Sequence, residues 1–555
     1  MRRLSALALG LVLAVVCAPV VCAQAGNSEG PALVGRITFI EGQLLRYVYD
    51  EKDWVATVKD APFGTEDALY SSDTGKAEFK LPGGVWVRTG SDTQIQLIVQ
   101  RDDLTEIDVG SGTARFYNKS QKAPIKATTP FGYVFARPGT AFDLYVGDAS
   151  AEVICLEGAV DFVLGDKEAR YAVEAGGASI ISDGRVAVEG DGKVDAAWDE
   201  WNIKREELRT QRIQVKGESV DILPAELRDD AYDLDRNGRW VQVNYEGRQR
   251  MLWQPTDVAA GWQPFTVGRW TVWSRDNVWI PEESFGYVTH HYGNWVFVNS
   301  AWYWAPPEKA GAGNTGRLVS WYPGRVSWIH SEGDVGWIPL APAETYYAHN
   351  YWGPGSYVVR VKGGGVPIGV GRLAYAGHAV VVPRGSLYSV NSYTGVRVAN
   401  IDRTAIINHY RAAPVMSDRV VPDYRSIQYR YVYNVSLAHL SAKPHQAVVE
   451  RINRNRMIAP NGRSATSVVA VQRNLARIDL RRPMGGPQAA QRVKRLWITS
   501  RMVPENMVHR PRSKVVFVQR ALKAQGIRPQ HRPGLYGPGA QQLRRTAPPG
   551  WDRRA

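Results

Sequence analysis

The chain has 555 residues, enough for about three or four domains and for a full hydrophobic core without disulfide bonds. Its formal net charge is +14, but residues 401–555 carry 29 basic and 7 acidic residues, whereas residues 1–400 carry 39 basic and 47 acidic ones. This division predicts an acidic body followed by a basic tail. A small disulfide-stabilised scaffold is excluded, and 53 Gly and 32 Pro argue against a helical bundle.

Residues 1–23 have the pattern of a secretory signal peptide. Arg2 and Arg3 precede an apolar run, and Val21 and Ala23 permit cleavage before Gln24. An uncleaved membrane anchor is the alternative. We expect export to the periplasm or beyond the cell, free or peripherally attached to the envelope, with no transmembrane span in the mature chain.

Residues 31–190 consist of short runs in which every second residue is apolar, separated by Gly, Pro and Asp turns. This period is that of half-buried strands, and turn signals every 8 to 12 residues are typical of sandwiches and β-rolls. The sequence therefore predicts an all-β domain here. Cys155, which is the mature chain's one thiol after removal of the signal, lies in an apolar run and is expected to be buried and inert.

This β domain carries motifs in an order that resembles the FecR domains of bacterial envelope-signalling systems, such as those for iron citrate. The residues that carry the resemblance, and to which it assigns structural roles, are Thr129, Pro130, Arg137, Gly139, Thr140, Phe142, Glu157 and Gly158. Pro138 departs from the family's Arg-Gly-Thr pattern. Signalling members have a cytoplasmic helix and a membrane span before the domain, so direct sigma-factor control is the weaker expectation for a chain with a signal peptide.

Residues 195–212 predict an amphipathic linker helix. Asp195 is placed to cap its N-terminus, and Trp198, Trp201 and Leu208 recur on one face. We expect the two tryptophans to pack against a neighbouring β domain.

Residues 230–400 form a Trp-rich segment, because 13 of the 19 Trp residues lie between Trp240 and Trp352. A Gly-x-Trp pattern begins three predicted β-hairpins, at Gly238, Gly268 and Gly293. The segment resembles a Trp-rich domain of unknown function that follows FecR domains in exported bacterial proteins. Most of these tryptophans are expected in the core. Those predicted to be most exposed, and hence candidates for ligand binding, are Trp273, Trp302 and Trp304.

Candidate catalytic and metal-binding motifs are weak. His290 and His291 would point to opposite faces of a strand, so no metal site is predicted. The segment Asp233–Gly238 imitates half of a calcium loop but lacks the later Glu, and a polar turn is the better interpretation. No cofactor motif is complete, and we predict that the protein is not an enzyme. Carboxylates among the tryptophans leave a glycan-active hydrolase as an alternative.

Residues 401–555 are predicted to be a basic tail of low order, with short helices at 446–456 and 513–525. For an exported protein the nearest polyanions are those of the envelope, so contact with an anionic surface is favoured over nucleic acid. A solvated tail without a partner is the alternative. The sequence thus predicts a non-enzymatic envelope protein that binds envelope polysaccharide or another envelope protein. A sensing role is implied by the FecR resemblance, and a FecR-type regulator of sigma-factor signalling is a further alternative.

Overall fold

The computed structural model describes residues 31–50, 52–164, 169–215, 217–308, 318–359, 368–399, 401–424 and 446–458. The predicted signal peptide, the helix at 513–525 and most of the tail lie outside these residues. No helix among them has the length and apolar character needed to cross a bilayer.

The described residues of 31–190 fold into β-strands, which confirms the predicted all-β domain. Their bounds are β1 (Gly35–Glu41), β2 (Leu44–Val48), β3 (Asp53–Ala56), β4 (Pro62–Phe63), β5 (Ala68–Ser71), β6 (Lys76–Leu81), β7 (Val85–Thr89), β8 (Gln94–Gln100), β9 (Thr105–Asn118), β10 (Ile125–Thr129), β11 (Gly132–Ala136), β12 (Thr140–Val146), β13 (Ala151–Glu157), β14 (Ala159–Leu164), β15 (Ala169–Glu174), β16 (Ser179–Ser182) and β17 (Ala187–Gly190).

These strands form two mainly antiparallel layers that share the long strand β9. The first half of β9 pairs with β8 and, in parallel, with β10, and its second half pairs with β7 and β12. Along each strand alternate residues enter the core, as a pleated strand requires. On β9, for example, Ile107 and Val109 lie in the main core, and Asp108 points to the opposite face.

The FecR-type motif residues stabilise turns and the core. The Thr129 hydroxyl accepts a hydrogen bond from the N–H of residue 131 at 3.0 Å and donates one to the carbonyl of residue 132 at 2.9 Å, which closes the turn around exposed Pro130. Phe142 stacks on Phe116 with ring centroids 4.8 Å apart. Glu157 is exposed beside the next turn.

A second group of motif residues lies where the β11–β12 turn meets the β13–β14 turn. Arg137 pairs with Asp161 at 3.3 Å, and the Thr140 hydroxyl donates to the Arg137 carbonyl at 2.7 Å. Gly139 and Gly158 adopt φ values of 81° and 72°, which a side chain would strain. The family motif is thus a set of structural contacts.

Helices connect the two β regions. Their bounds are α1 (Ala196–Gln214), α2 (Glu218–Ile222), a 3₁₀ helix (Ala225–Asp230) and α3 (Ala231–Asn237). Asp195 caps α1 by accepting from the Trp198 N–H at 2.8 Å, as predicted. Trp198 is buried against the FecR-type domain, but Leu208 is 50% exposed, so its predicted place on the packed face is wrong. Helix α3 occupies the segment predicted as a polar turn.

The Trp-rich region consists mainly of hairpins and short helices. Its strands are β18 (Gly238–Tyr245), β19 (Arg248–Pro255), β20 (Gly268–Trp273), β21 (Asp276–Pro281), β22 (Asn294–Val298), β23 (Ala301–Ala305), β24 (Val326–His330), β25 (Asp334–Pro339), β26 (Tyr346–Ala348), β27 (Ser356–Val358), β28 (Val380–Pro383) and β29 (Arg411–Ala413). Its α-helices are α4 (Gly286–His291) and α5 (Arg403–His409), and single 3₁₀ turns lie at Val370–Arg372, Ala376–His378 and Arg384–Ser386.

Four hairpins of this region each place two tryptophans directly opposite one another. The pairs are Trp240 with Trp253, Trp270 with Trp279, Trp295 with Trp304, and Trp328 with Trp337. The leading glycine makes room for the partner's indole: a Cβ on Gly238 would lie 2.3 Å from the Trp253 ring. In the Gly-x-Trp repeat, the Trp therefore pairs with a tryptophan on the next strand, and the ring of that tryptophan packs on the glycine, which has no side chain.

The folded body continues past residue 400, which corrects the predicted start of the low-order tail. Strand β29 pairs with β24, and helix α5 packs its buried Ile406 into the main core. The predicted helix at 446–456 is confirmed as α6 (Gln446–Ile458).

Candidate ligand-binding cleft

An open cavity of about 300 Å³ lies beside the third hairpin of the Trp-rich region. The end of β19, the loop before β20, the β22–β23 hairpin and the 3₁₀ turn at 376–378 surround it. We call it the aromatic cleft, and its principal lining side chains are Gln254, Trp262, Gln263, Phe297, Trp302 and His378.

One wall of the aromatic cleft is a cluster of rings. The Trp302 ring centroid lies 5.2 Å from that of Phe297 and 5.2 Å from that of Tyr375. The His378 ring lies 4.0 Å from Phe297, and burial lowers its pKa, so the imidazole is neutral at pH 7. Trp302 is only 6% exposed, so its predicted exposure is wrong and little of its ring is open to a ligand.

The opposite wall carries Trp262, which is half-buried. Its indole N–H donates to Glu283 Oε1 at 2.8 Å. Burial raises the pKa of Glu283 to about 8, although this hydrogen bond acts to lower it. Glu283 does not line the cleft, and neither does any other carboxylate among the described residues. The arrangement therefore offers flat apolar surfaces, amides and a neutral imidazole.

The three tryptophans predicted as exposed platforms have different environments. Trp302 lines the cleft. Trp304 is fully buried and donates from Nε1 to the Tyr292 carbonyl at 2.7 Å, so its predicted exposure is wrong. Trp302 and Trp304 point to the same face of β23 and both belong to the main core, and β19 pairs with β23 at Trp304.

Trp273 lies against the FecR-type domain. Its Nε1 donates to both carboxylate oxygens of Asp67, at 3.1 and 3.0 Å, and its ring lies over Gly64. Trp273 is therefore half-buried, because part of the outer face of the second hairpin is covered by another domain.

Two of the carboxylates that lie among the tryptophans, Asp276 and Glu344, fix loops. Asp276 accepts from the N–H groups of His349 and Asn350, at 2.7 and 3.1 Å, and from the Trp352 indole at 2.8 Å. Glu344 accepts from two further backbone N–H groups. These carboxylates do not converge on the aromatic cleft, so the cleft's lining does not support glycan hydrolysis there.

The adjacent histidines lie in helix α4 and both are buried, which corrects the strand prediction. His290 Nε2 accepts from the Phe265 N–H at 3.2 Å, and His291 Nδ1 lies 2.7 Å from the Tyr322 carbonyl oxygen. Burial lowers their pKa values to about 3 and about 4. Among the described residues no group of three or more His, Cys, Asp or Glu side chains could hold a metal ion.

The FecR-type and Trp-rich domains are joined by buried charges. Arg36 on β1 pairs with Asp60 at 2.6 Å and with Asp230 at 2.7 Å, and its guanidinium lies 4.0 Å from the Tyr287 ring centroid. Lys80 on β6 adds a contact to Asp230 at 3.3 Å. Burial alone would raise the pKa of Asp230, but Lys80 and Arg36 hold it below its usual value. We call this set the interdomain network.

Sequence reasoning missed most of the cleft. Trp262, Phe297 and His378 come from separate loops and strands, and no short motif joins them. One sequence feature could have identified Trp262 as a lining residue. It does not belong to a Gly-x-Trp repeat, so no cross-strand tryptophan was expected to cover it.

Comparison with known families identifies both domains. Residues 67–161 match the profile of the FecR protein family, and residues 231–344 match that of a family of unknown function, DUF6600. The chain therefore carries a FecR domain followed by a DUF6600 domain, as the motifs predicted. No curated protein matches the chain.

Two similar solved structures are crystal structures of a "putative anti-sigma factor" from Parabacteroides distasonis ATCC 8503, at 1.65 and 2.50 Å resolution. Each match has 16% identity and a TM-score of 0.21, and covers 24% of this chain and 63% of that one. This chain thus spans less than two thirds of those proteins, and the score is too low to establish a shared overall fold.

Proposed function

We propose that this is an exported, non-enzymatic regulatory protein of the FecR type, in which the DUF6600 domain binds a ligand and the FecR domain relays its presence to an envelope partner. The match of residues 67–161 to the FecR family supports the regulatory role. FecR domains serve envelope signalling, and that role needs no catalytic group.

The observation that carries the proposal is the physical continuity between the two domains. One hydrophobic cluster runs from Val34 in the FecR domain to Tyr424 beyond the DUF6600 match, and the interdomain network crosses the same junction. A ligand that favoured one arrangement of the cleft would therefore act on a packed unit and not on a tethered module.

The chemistry of the cleft indicates the ligand class. The half-buried rings of Trp262 and Phe297 offer apolar surface to the apolar faces of sugar rings, and Gln254, Gln263 and neutral His378 can hydrogen-bond to hydroxyl groups. We propose a saccharide fragment of the envelope as the ligand. Replacing Trp302 by Ala would weaken binding of such fragments by about tenfold in calorimetric titration.

The test of regulation uses the native host. Transcripts are compared between a strain lacking the gene and strains expressing the wild type, Trp302→Ala, or the control Met251→Ala, whose side chain is 42% exposed on β19. The proposal expects the deletion and Trp302→Ala to change the same transcripts and Met251→Ala to change none. Loss of saccharide binding without any transcript change would instead assign a scaffolding role, and cell fractionation would test export.

A further inference from the structure

One face of the FecR domain packs against helix α6 of the basic tail. Residues of β2, β3 and β5 that point away from the main core form an apolar surface, and Ile452 of α6 is fully buried on it. We call this surface the helix groove, and its residues are Leu45, Tyr47, Trp54, Tyr70, Gln96 and Asp108. Each alternates with a core residue on its own strand, so the groove is the outer face of the layer.

The polar half of the groove recognises a specific set of helix atoms. Arg451 makes a two-pronged contact with the Asp108 carboxylate, with Nε to Oδ2 at 2.8 Å. Asn455 Nδ2 donates to Gln96 Oε1 at 3.1 Å, and Gln96 Nε2 donates to the Ile452 carbonyl at 3.3 Å. The groove thus contacts Arg451, the aliphatic residue Ile452 that follows it, and Asn455 one helical turn later.

The contact has the character of a reversible interface. Helix α6 has 13 residues, which is marginal for an isolated helix in water, so it depends on the groove for its stability. One aliphatic side chain is fully buried, and Val449 is partly buried. On undocking, Arg451 leaves with the helix, and the Asp108 carboxylate keeps the hydrogen bond that it accepts from the Thr128 hydroxyl at 2.7 Å.

We propose that the helix groove is a docking site for a basic amphipathic helix with the pattern Arg-Ile-x-x-Asn on a partner protein, and that α6 occupies it in cis until that helix displaces it. The pattern is that of the helix seated there. The fixed charge of Asp108 selects a basic helix, and the groove's aromatic half selects an aliphatic residue beside the Arg. This proposal is independent of the aromatic cleft and of its ligand.

The experiment measures binding of a fluorescein-labelled peptide of residues 446–458 to the full chain by fluorescence polarisation. A tethered helix has an effective concentration of about millimolar order, so it competes with the peptide in the wild type. In the chain carrying Arg451→Glu and Ile452→Asp, α6 is released, and the peptide should bind at least about tenfold more tightly.

Charge exchange tests the recognition itself. A peptide with Arg451→Glu should lose binding to the released chain, and Asp108→Arg in that chain should restore it. The matched control is a peptide with Arg454→Glu, since Arg454 is exposed on the docked helix and carries the same charge. Circular dichroism and urea unfolding verify that each chain is folded.

The proposal is overturned if the released, folded chain fails to bind the peptide or if the Arg454→Glu peptide loses as much binding as the Arg451→Glu peptide. Concentration-dependent dimers of the wild type, dissolved by Ile452→Asp, would also contradict it, because a second copy would then be the occupant. The proposal is supported if the peptide binds more tightly to the chain whose α6 is released, and if Asp108→Arg in that chain restores binding of the Arg451→Glu peptide.

Discussion

The FecR domain makes two contacts with later parts of the chain, and they differ in how much they bury. The junction with the DUF6600 domain combines a continuous hydrophobic core with Arg36, Lys80, Asp60 and Asp230, all in one network. The helix groove combines one ion pair with a small apolar cluster of six buried residues, to which α6 contributes Ile452. Both contacts use an Arg–Asp pair, so the pair alone does not decide whether a contact is permanent. The amount of apolar surface around it does.

The largest effect is expected from breaking the interdomain network. Asp230→Ala removes the partner that Arg36 and Lys80 share, but Arg36 keeps Asp60 and Lys80 keeps Asp229 at 3.1 Å. The loss should therefore be about 3 kcal/mol, the low end of the cost of removing one member of a buried charge pair. Urea unfolding followed by circular dichroism would measure the loss. The control is Asp191→Ala, which removes a carboxylate 60% exposed in its pair with Lys193 and should not move the midpoint. Equal effects of the two substitutions would show that the network contributes nothing special.

The same network predicts a pH dependence. Since the folded-state pKa of Asp230 lies below its unfolded value, its contribution is present above the unfolded value, about 4, and is lost as pH falls through the folded value. The unfolding free energy of the wild type should therefore exceed that of Asp230→Asn by a constant amount between about pH 5 and pH 7, because this range lies at least about 1 pH unit above the unfolded pKa. The difference should shrink below about pH 4. A difference that widened toward acid would contradict this assignment.

A smaller loss of stability is expected from adding one methyl group at the contact between the FecR and DUF6600 domains. A Cβ on Gly64 would lie 2.4 Å from the Trp273 ring, and that indole is held by Asp67. Gly64→Ala should therefore cost about 1–3 kcal/mol, the usual range for overpacking a well-packed site. Gly333→Ala is the matched control, because a Cβ there has no atom within 4 Å. If Gly64→Ala were as neutral as Gly333→Ala, the two domains would separate more easily than their packing indicates.

The sequence predicted much of the local structure and little of how its parts cover one another. The sequence predicts polar turns at residues 274–277 and 299–300. The second has the predicted bounds, but the first is the two-residue turn Ser274-Arg275, because Asp276 and Asn277 already belong to β21. All four turn residues adopt positive φ as such hairpins require. The β24–β25 hairpin lacks the Gly-x-Trp pattern, because Val326 stands two residues before Trp328.

The candidate site was less predictable, for a physical reason. Period-two alternation tells which side chains share a face, but not whether another element covers that face. Trp302 and Trp273 looked equivalent in sequence. The first is buried in the wall of a cleft, whereas the second is half-buried against a FecR strand connection more than two hundred residues earlier in the chain. The charge division at residue 400 also concealed α5 and β29, since a net basic segment can still carry buried residues such as Ile406.

Substitutions in the helix groove should have the smallest effect on the unfolding free energy of the whole chain. Two isoleucines allow a direct comparison of the groove with the main core. Ile406 on α5 and Ile452 on α6 are both fully buried on short helices. Ile406→Ala leaves a cavity in the main core and should cost about 2–5 kcal/mol in urea unfolding. Ile452→Ala should lower the unfolding free energy by no more than about 1 kcal/mol, because α6 opens locally without unfolding the sheet beneath it.

Hydrogen exchange separates these outcomes. In Ile452→Ala the amides of residues 449–455 should exchange much faster while those of β8 and β9 keep their protection, whereas Ile406→Ala should speed exchange throughout the body. If Ile452→Ala instead lowered protection across β8 and β9 as well, α6 would be an integral part of the FecR fold. The groove could then not exchange one helix for another, since releasing α6 would unfold the surface that a partner needs.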